Sequence, residues 1–101
     1  MSDIMIASRK VKAVDSRGRT FELEIDIGLP YEVAIEEWAC HVSLKGLYKQ
    51  RGPTYGVDSL QALMLGLKLL KELLEDFCEK GGKIYWLDDS KPISVNELMY
   101  S

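Results

Sequence analysis

The segment from Asp58 to Gly82 limits what this chain can fold into more than any other. Its apolar residues recur at steps of three and four, the spacing that forms one face of an α-helix. These residues are Leu60, Leu63, Leu67, Leu70, Leu74 and Phe77. At the start, Asp58 is a typical N-cap whose amide the Gln61 side chain can reach, and a glycine pair at residues 81–82 lets the chain leave the helix. The pattern predicts one helix of roughly 22 residues, about 33 Å long.

The first half of this helix has two features that indicate close neighbours. Gly66 in a helix interior costs about 1 kcal/mol relative to alanine. We therefore expect another backbone, from a sheet, to approach the side that carries Ala62 and Gly66. Met64 and Leu65 point away from the main stripe, so this half is apolar nearly all round. The pattern predicts that a loop or tail covers it, and a homodimer contact is the alternative.

The first two predicted strands form a hairpin. Residues 4–14 alternate between apolar and polar side chains but change phase near Ala7 and Ser8, which predicts a β-bulge. The turn at residues 15–18 has Asp in its first position and Gly where a positive φ is needed. Residues 20–27 follow with the most regular alternation in the chain. The two strands should therefore pair antiparallel.

The second and third strands define which side of the sheet faces the core. On the second strand the apolar side chains share one face, and Glu22, Glu24 and Asp26 share the other, which we expect to be solvated. A third strand is predicted from Glu37 to Lys45. Its inner residues are Trp38, Cys40, Val42 and Leu44. Three strands with one apolar face need a covering layer, and the long helix is the segment that can supply it.

The sequence predicts a single α+β domain over residues 1–101. Residues 83–87 are predicted to form a fourth strand after the helix, which we expect to lie parallel to the first or third strand through a right-handed crossover. The predicted architecture has two layers. One is an antiparallel β-meander of three strands, the other is the long α-helix that covers it, and the fourth strand comes last, in the order β-β-β-α-β.

Composition narrows the classes of function. The formal net charge is −3, which argues against a nucleic-acid binder that relies on counterion release. The apolar run in the helix is shorter than the roughly 20 residues that a membrane span needs, and Lys68 interrupts it. The N-terminus has no secretory signal, so Cys40 and Cys78 are expected to be reduced and packed, and the protein to be cytoplasmic.

Catalytic chemistry is not predicted. His41 is the single histidine, and it has the opposite strand parity to Cys40, so the two side chains should point to different faces. A metal site would need further ligands close by, and none follows in the sequence. We therefore expect a solvent-facing His41 without a chemical role, no catalytic, cofactor-binding or metal-binding residues, and no enzymatic activity.

The segment from residue 45 to residue 56 is the candidate binding loop. Its candidate binding residues are Lys45, Tyr48, Lys49, Arg51 and Tyr55. Tyrosine and arginine together are typical of protein-binding hot spots. The loop also leads into the helix N-terminus, where unpaired amides favour anions, although the glycine spacing of a phosphate-binding loop is absent. A solvated connector is the alternative interpretation.

Three sequence motifs together resemble a known family. They are Trp38-x-Cys40, the segment Gly56-x-Asp58-Ser59-x-Gln61-Ala62-Leu63, and Trp86-Leu87. The combination resembles a family of short bacterial proteins of unknown function that share a W-x-C strand, a G-x-D-S-x-Q-A-L helix start and a W-L final strand. The resemblance implies a bacterial protein with a compact β-rich layer and one long helix. It implies no established activity and no catalytic role for the matching residues.

These observations favour a non-enzymatic module that binds another protein, with immunity and antitoxin proteins as one such class. The reasons are the small size, the acidic balance, the lack of paired catalytic groups and a Tyr/Arg loop beside a rigid helix. The alternative is a domain that binds a small ligand or anion through the basic loop at residues 45–56 and the helix N-terminus. The expected partner is an unidentified protein or a second copy of the chain, and neither a nucleic acid nor a membrane.

Overall fold

The chain forms two antiparallel sheets and one long helix in a computed structural model that describes residues 4–48 and 52–100. The elements are β1 (Met5–Val14), β2 (Thr20–Gly28), β3 (Tyr31–Ala34), β4 (Glu37–Cys40), β5 (Val42–Lys45), β6 (Thr54–Gly56), α1 (Ser59–Glu79), β7 (Lys83–Tyr85) and α2 (Val95–Tyr100). The first sheet has the order β5-β2-β1-β7 and the second β3-β4-β6. The predicted α+β class and long helix are confirmed, but two sheets replace the single three-stranded meander.

The hairpin of β1 and β2 follows the prediction. At its turn the Gly18 N–H donates to the Asp15 carbonyl at 2.9 Å, and Gly18 has a φ of 84°. That left-handed conformation is the one glycine adopts without steric cost. The antiparallel register breaks between Met5 and Ala7, which places the expected bulge at the start of β1. The hairpin and its bulge are therefore confirmed.

The third predicted strand is interrupted at His41. The segment before it, β4, belongs to the second sheet, and the segment after it, β5, pairs with β2 in the first sheet. At the crossing point the His41 carbonyl accepts a hydrogen bond of 2.7 Å from the Gly28 N–H. Ala39 and Cys40 are both fully buried, so alternation is lost where the chain passes between the sheets. The prediction of one continuous strand was wrong for this reason.

The strand after the helix lies antiparallel to its neighbour. Val14 of β1 pairs with Lys83 of β7, and the register continues to Lys12 and Tyr85. The expected parallel crossover was wrong. The right-handed crossover rule applies to a helix that connects two strands of the same sheet, whereas the strand before α1 is β6 of the second sheet.

The long helix begins and ends at the predicted signals. The Asp58 carboxylate accepts a hydrogen bond of 2.8 Å from the Gln61 N–H. The Gln61 side chain accepts from the Val57 N–H at 2.8 Å, one residue before the expected Asp58 amide. At the other end Lys80 is the C-cap and Gly81 has a φ of 97°. The cap residues therefore fix both boundaries of α1.

The main core lies between the second half of α1 and the first sheet. Leu70 and Leu74 of the helix are fully buried and pack in one cluster with side chains from the first sheet and α2. The sheet and α2 residues of this cluster include Val11, Ala13, Leu23, Ile25, Leu44, Ile84, Val95 and Leu98. The second half of the predicted apolar stripe is thus confirmed as the core-facing side of the helix.

The first half of α1 packs on the second sheet. A Cβ built at Gly66 would lie 3.0 Å from the Val42 side chain and 3.5 Å from the Cys40 Sγ. The neighbours of Gly66 are side chains, but the expected close approach of a sheet backbone occurs one turn earlier, where Gly56 of β6 lies against the backbone of Ala62. On the opposite side Met64 is 56% exposed and Leu65 38%, so the described residues do not supply the predicted covering loop or tail.

Candidate functional site

An apolar cleft opens between α1, α2 and the β1–β2 hairpin. Its volume is about 570 Å³, which lies within the usual range of binding pockets. The apolar wall residues are Ile25, Ile27, Met64, Leu67, Leu98 and Met99. One wall of the cleft is α2, a helix of six residues. At the start of β1, Met5 and Ile6 remain about half exposed, so the apolar surface continues beyond the cleft.

Arg9 places a fixed positive charge on the wall of the cleft. Its Nη1 donates to the Leu98 carbonyl at 3.1 Å, which ties β1 to α2. The guanidinium carbon lies 5.1 Å from the centre of the Trp86 ring, a favourable cation–π distance. These two contacts hold the guanidinium group in place.

Two lysines of α1 extend this positive charge along the cleft. The Lys68 Nζ lies 4.0 Å from the Glu72 carboxylate, but both side chains are exposed, so this pair neutralises little. The Lys71 Nζ lies 5.7 Å from the centre of the Tyr100 ring. The cleft therefore combines apolar walls with a cationic rim, in a chain whose net charge is −3.

A second polar cluster lies on the outer face of the first sheet. Asp26 is only 3% exposed, so the expectation of a fully solvated acidic face was wrong at this residue. Its carboxylate lies 3.6 Å from the Lys45 Nζ and accepts a hydrogen bond of 3.5 Å from the Ser43 hydroxyl. Burial raises the pKa of Asp26, and the neighbouring Glu24 carboxylate raises it further. The hydrogen bond from Asp26 and the Lys45 ammonium lower the pKa of Glu24.

The burial of Asp26 predicts a pH-dependent effect of Asp26→Asn. Because the pKa is raised above the ordinary value of 3.8, the folded protein binds this proton more tightly than the unfolded chain does. Ionised Asp26 then costs stability at neutral pH, and the cost disappears as the pH falls below 3.8. We expect Asp26→Asn to raise the free energy of unfolding by about 1 kcal/mol at pH 7, with the gain shrinking towards acid pH.

Urea denaturation of both proteins between pH 3 and pH 8 measures this difference. Glu22→Gln is the matched control, since Glu22 lies on the same face of the same strand but pairs with Lys10 at 3.9 Å through exposed side chains. A loss of stability in Asp26→Asn at neutral pH, or a gain that does not depend on pH, would contradict the expectation.

The predicted loop residues contact different parts of the fold. Lys45 pairs with Glu24 at 3.4 Å, and that pairing raises the pKa of the Lys45 ammonium. The Tyr48 hydroxyl donates to the Asp76 carboxylate near the end of α1 at 3.1 Å. Tyr55 lies in β6 and is 55% exposed. The remaining two candidates, Lys49 and Arg51, lie outside the described residues, so the binding loop stays a prediction.

A scan against known protein families matches residues 7–95 to a domain of unknown function, DUF6968. The chain belongs to the DUF6968 family. No curated protein and no solved structure matches it significantly. Membership confirms the resemblance to an uncharacterised family, and it assigns no activity. The bacterial origin and the cytoplasmic location stay predictions.

In this DUF6968 chain the His41 side chain contacts Tyr31. The His41 Nε2 lies 2.9 Å from the Tyr31 hydroxyl, and the two rings stack at 5.8 Å between centroids. The other ring nitrogen, Nδ1, is buried and has no hydrogen-bond partner among the described residues. The expectation of a solvent-facing histidine was therefore wrong. Cys40 instead donates to the Gly28 carbonyl at 3.5 Å, and burial raises the pKa of its thiol, which keeps it protonated.

Residues 4–48 and 52–100 contain no grouping of three or more His, Cys, Asp or Glu side chains that could hold a metal ion. Within the same residues no helix has the length and apolar character needed to cross a membrane.

The cleft of this DUF6968 domain was not predicted from the sequence, although two signals pointed to it. Arg9 has the same strand parity as Val11 and Ala13, whose side chains are fully buried. A cation at a position of this parity needs partners, and here they are the Leu98 carbonyl of α2 and the Trp86 ring. Met64 was the second signal, because its position away from the apolar stripe required a covering loop, tail or second copy. Arg9 and Met64 lie in the same cleft only because the tertiary fold brings α1 beside β1.

Proposed function

We propose that this DUF6968 domain is a non-enzymatic protein-binding module and that its binding surface is the cleft between α1, α2 and the β1–β2 hairpin. The observation that carries the proposal is the exposed apolar surface at the cleft. Met64 lines the cleft and is 56% exposed, and Leu60, one turn earlier on the helix, is 65% exposed. Apolar surface of this kind, edged by charged groups, is typical of protein interaction sites.

An open strand edge beside the cleft supports the same function. In the described part of the chain, β1 pairs with β7 only between Lys12 and Val14. From Met5 to Arg9 the side of β1 that faces away from β2 has no paired strand within residues 4–48 and 52–100. A free edge can accept a strand from another chain, which supplies backbone hydrogen bonds next to an apolar contact.

The state of the titratable groups also favours binding over catalysis. His41 is engaged with Tyr31, and Asp26 is engaged with Lys45 and Ser43. Arg9 is held by a backbone carbonyl and an indole ring. A general base needs an unengaged acceptor atom beside a nucleophile. The Asp26 carboxylate and the His41 Nε2 are already engaged, and the Arg9 guanidinium stays protonated and cannot accept a proton.

Met64→Glu tests the proposal. The side chain is half exposed, so the substitution should change the free energy of unfolding by less than about 1 kcal/mol. The carboxylate would disrupt the apolar contact, and we expect capture of a specific protein from a native lysate to fall at least about tenfold. Leu87→Glu is the matched control, since Leu87 is 49% exposed and lies outside the cleft. A partner that binds wild type and Met64→Glu equally, or a chain that neither captures a protein nor associates with itself, would contradict the proposal.

A further inference from the structure

The hairpin of β3 and β4 carries an apolar tip with acidic neighbours. Ile35 is 93% exposed and Val33 is 50% exposed. The turn between the strands contains Glu36, which has a φ of 55°, and exposed Glu32 and Glu37 lie on either side of it. An isoleucine so fully exposed on a turn is unusual unless a partner covers it.

The hairpin is placed to project away from the main core. β3 is the edge strand of the second sheet and pairs only with β4 among the described strands. Residues 32–37 are all exposed, and none of them belongs to the core cluster. The tip is therefore an exposed surface that is both apolar and acidic.

The cleft has the complementary properties. It is concave, its walls are apolar, and its cationic groups are Arg9, Lys68 and Lys71. The hairpin tip offers an apolar side chain in Ile35 and three nearby carboxylates. Opposite charges around an apolar contact favour one orientation and steer the encounter of the two surfaces. Because both surfaces belong to the same chain, one copy can bind another.

We propose that the β3–β4 hairpin of a second copy of this chain occupies the cleft, with Ile35 between the apolar walls and the tip carboxylates facing the cationic rim. The inference rests on the proposed protein-binding function and names its partner. It predicts a specific homodimer rather than non-specific self-association, because other acidic surfaces of the chain repel the acidic tip.

The positions of the two surfaces favour a reciprocal exchange. Ile27, near the end of β2, lines the cleft, and the hairpin begins soon afterwards at Tyr31. The hairpin therefore starts close to the end of the first sheet at which the cleft opens. Two copies facing each other across a two-fold axis can each insert a hairpin and receive one, which closes the assembly at two chains.

Sedimentation equilibrium of the full chain tests the inference. We expect wild type to be a dimer whose dissociation constant rises at least about tenfold in Ile35→Asp, and equally in the double variant Lys68→Glu/Lys71→Glu. Ile35 is almost fully exposed, so its replacement should leave folding intact. The controls are Leu87→Asp for the apolar change and Lys91→Glu for the charge reversal, both outside the two surfaces.

A charge exchange identifies the contact itself. Glu36→Lys/Glu37→Lys should weaken self-association, and mixing it with Lys68→Glu/Lys71→Glu should restore a heterodimer, because each new charge then meets its opposite. Far-ultraviolet circular dichroism and a thermal melt of each variant check that it remains folded. A folded pair that does not associate on mixing would overturn the contact between tip and cleft.

The outcomes separate this inference from the proposed function. Three results would each overturn the second-copy proposal. The wild type is a monomer at millimolar concentration, it forms species larger than a dimer, or its dissociation constant is unchanged by Ile35→Asp or by Lys68→Glu/Lys71→Glu. If the chain is monomeric and Met64→Glu still loses a different protein from the lysate, the protein-binding function stands without self-association. If no partner is lost either, both proposals fall.

Discussion

Replacing Gly56 with alanine should lower the free energy of unfolding by about 3 kcal/mol, a melting-temperature decrease on the order of 15 °C for a domain of this size. A Cβ at this position would lie 2.8 Å from the Gln61 carbonyl carbon and would also overlap the Ala62 backbone nitrogen. Both are main-chain atoms of the first helical turn. They can move only if α1 shifts away from β6, which would loosen the packing of the helix on the second sheet.

Urea denaturation of Gly56→Ala and Gly52→Ala measures this effect. Gly52 is the matched control because a Cβ there would meet no atom within 4 Å. Its replacement should change the free energy of unfolding by less than about 0.5 kcal/mol. The midpoint should move for Gly56→Ala with an unchanged slope, which marks a change of stability rather than of the unfolded state. Equal midpoints for the two variants would mean that the close approach of β6 to α1 is not required.

The contact at Gly56 gives a physical meaning to the motif that identifies the family resemblance. Gly56 lets β6 pass close to the helix, and Asp58 then caps the first turn. Ala62 is fully buried beneath the strand, and its carbonyl accepts a hydrogen bond of 3.0 Å from the Thr54 hydroxyl. The motif is therefore the junction between a short strand and a long helix. Its residues contribute to the fold and require no reaction to explain them.

The helix could be predicted because its signals are local. Periodicity, the Asp58 cap and the glycines at residues 81–82 all act within a few residues of the boundaries they set. The stripe was less accurate at its start, where Leu60 is 65% exposed. In the first half of α1 the buried side carries Ala62 and Gly66, and Leu60 lies about 160° around the helix from Ala62, so it points away from the second sheet. Periodicity predicts which residues share a face but not which face each half of the helix buries.

The division into two sheets could not be predicted from local pattern. The alternation from Glu37 to Lys45 is the same for one long strand as for two short strands in different sheets. The two cases differ in the backbone hydrogen bond from the Gly28 N–H to the His41 carbonyl, which joins residues that are not neighbours in the sequence. Among the described strands, β3 and β6 pair only with β4, so each depends on a segment that the alternation assigned to the first sheet.

The candidate site was hidden for a related reason. The residues of the cleft come from β1, β2, α1 and α2, so only the tertiary fold brings them together. The register of β2 with β5 sets Glu24 opposite Lys45 and Asp26 opposite Ser43. That register turns Lys45 from a predicted anion-binding residue into a partner of two carboxylates. Composition indicated a basic loop, and strand pairing decided which acids lie beside it.

The largest effect expected in the core is that of Leu70→Ala. Leu70 is fully buried in the cluster that joins α1 to the first sheet. Removing its three outer carbon atoms loses their transfer free energy and leaves a cavity among neighbours that belong to regular elements and cannot collapse fully. We expect the free energy of unfolding to fall by about 3 kcal/mol, within the range of roughly 2–5 kcal/mol for this substitution in cores.

Leu60→Ala on the same helix is the matched control, with the same atoms removed and the same helix propensity gained. Leu60 is 65% exposed, so its truncation should change the free energy of unfolding by less than about 0.5 kcal/mol. Urea denaturation of the two variants compares the buried and exposed parts of one predicted stripe. A loss of about 3 kcal/mol at both positions would mean that the first turn of α1 is buried in solution, as it would be in a dimer that covers the cleft. The same measurement in a protein that also carries Ile35→Asp would then distinguish burial within the chain from burial by a second copy.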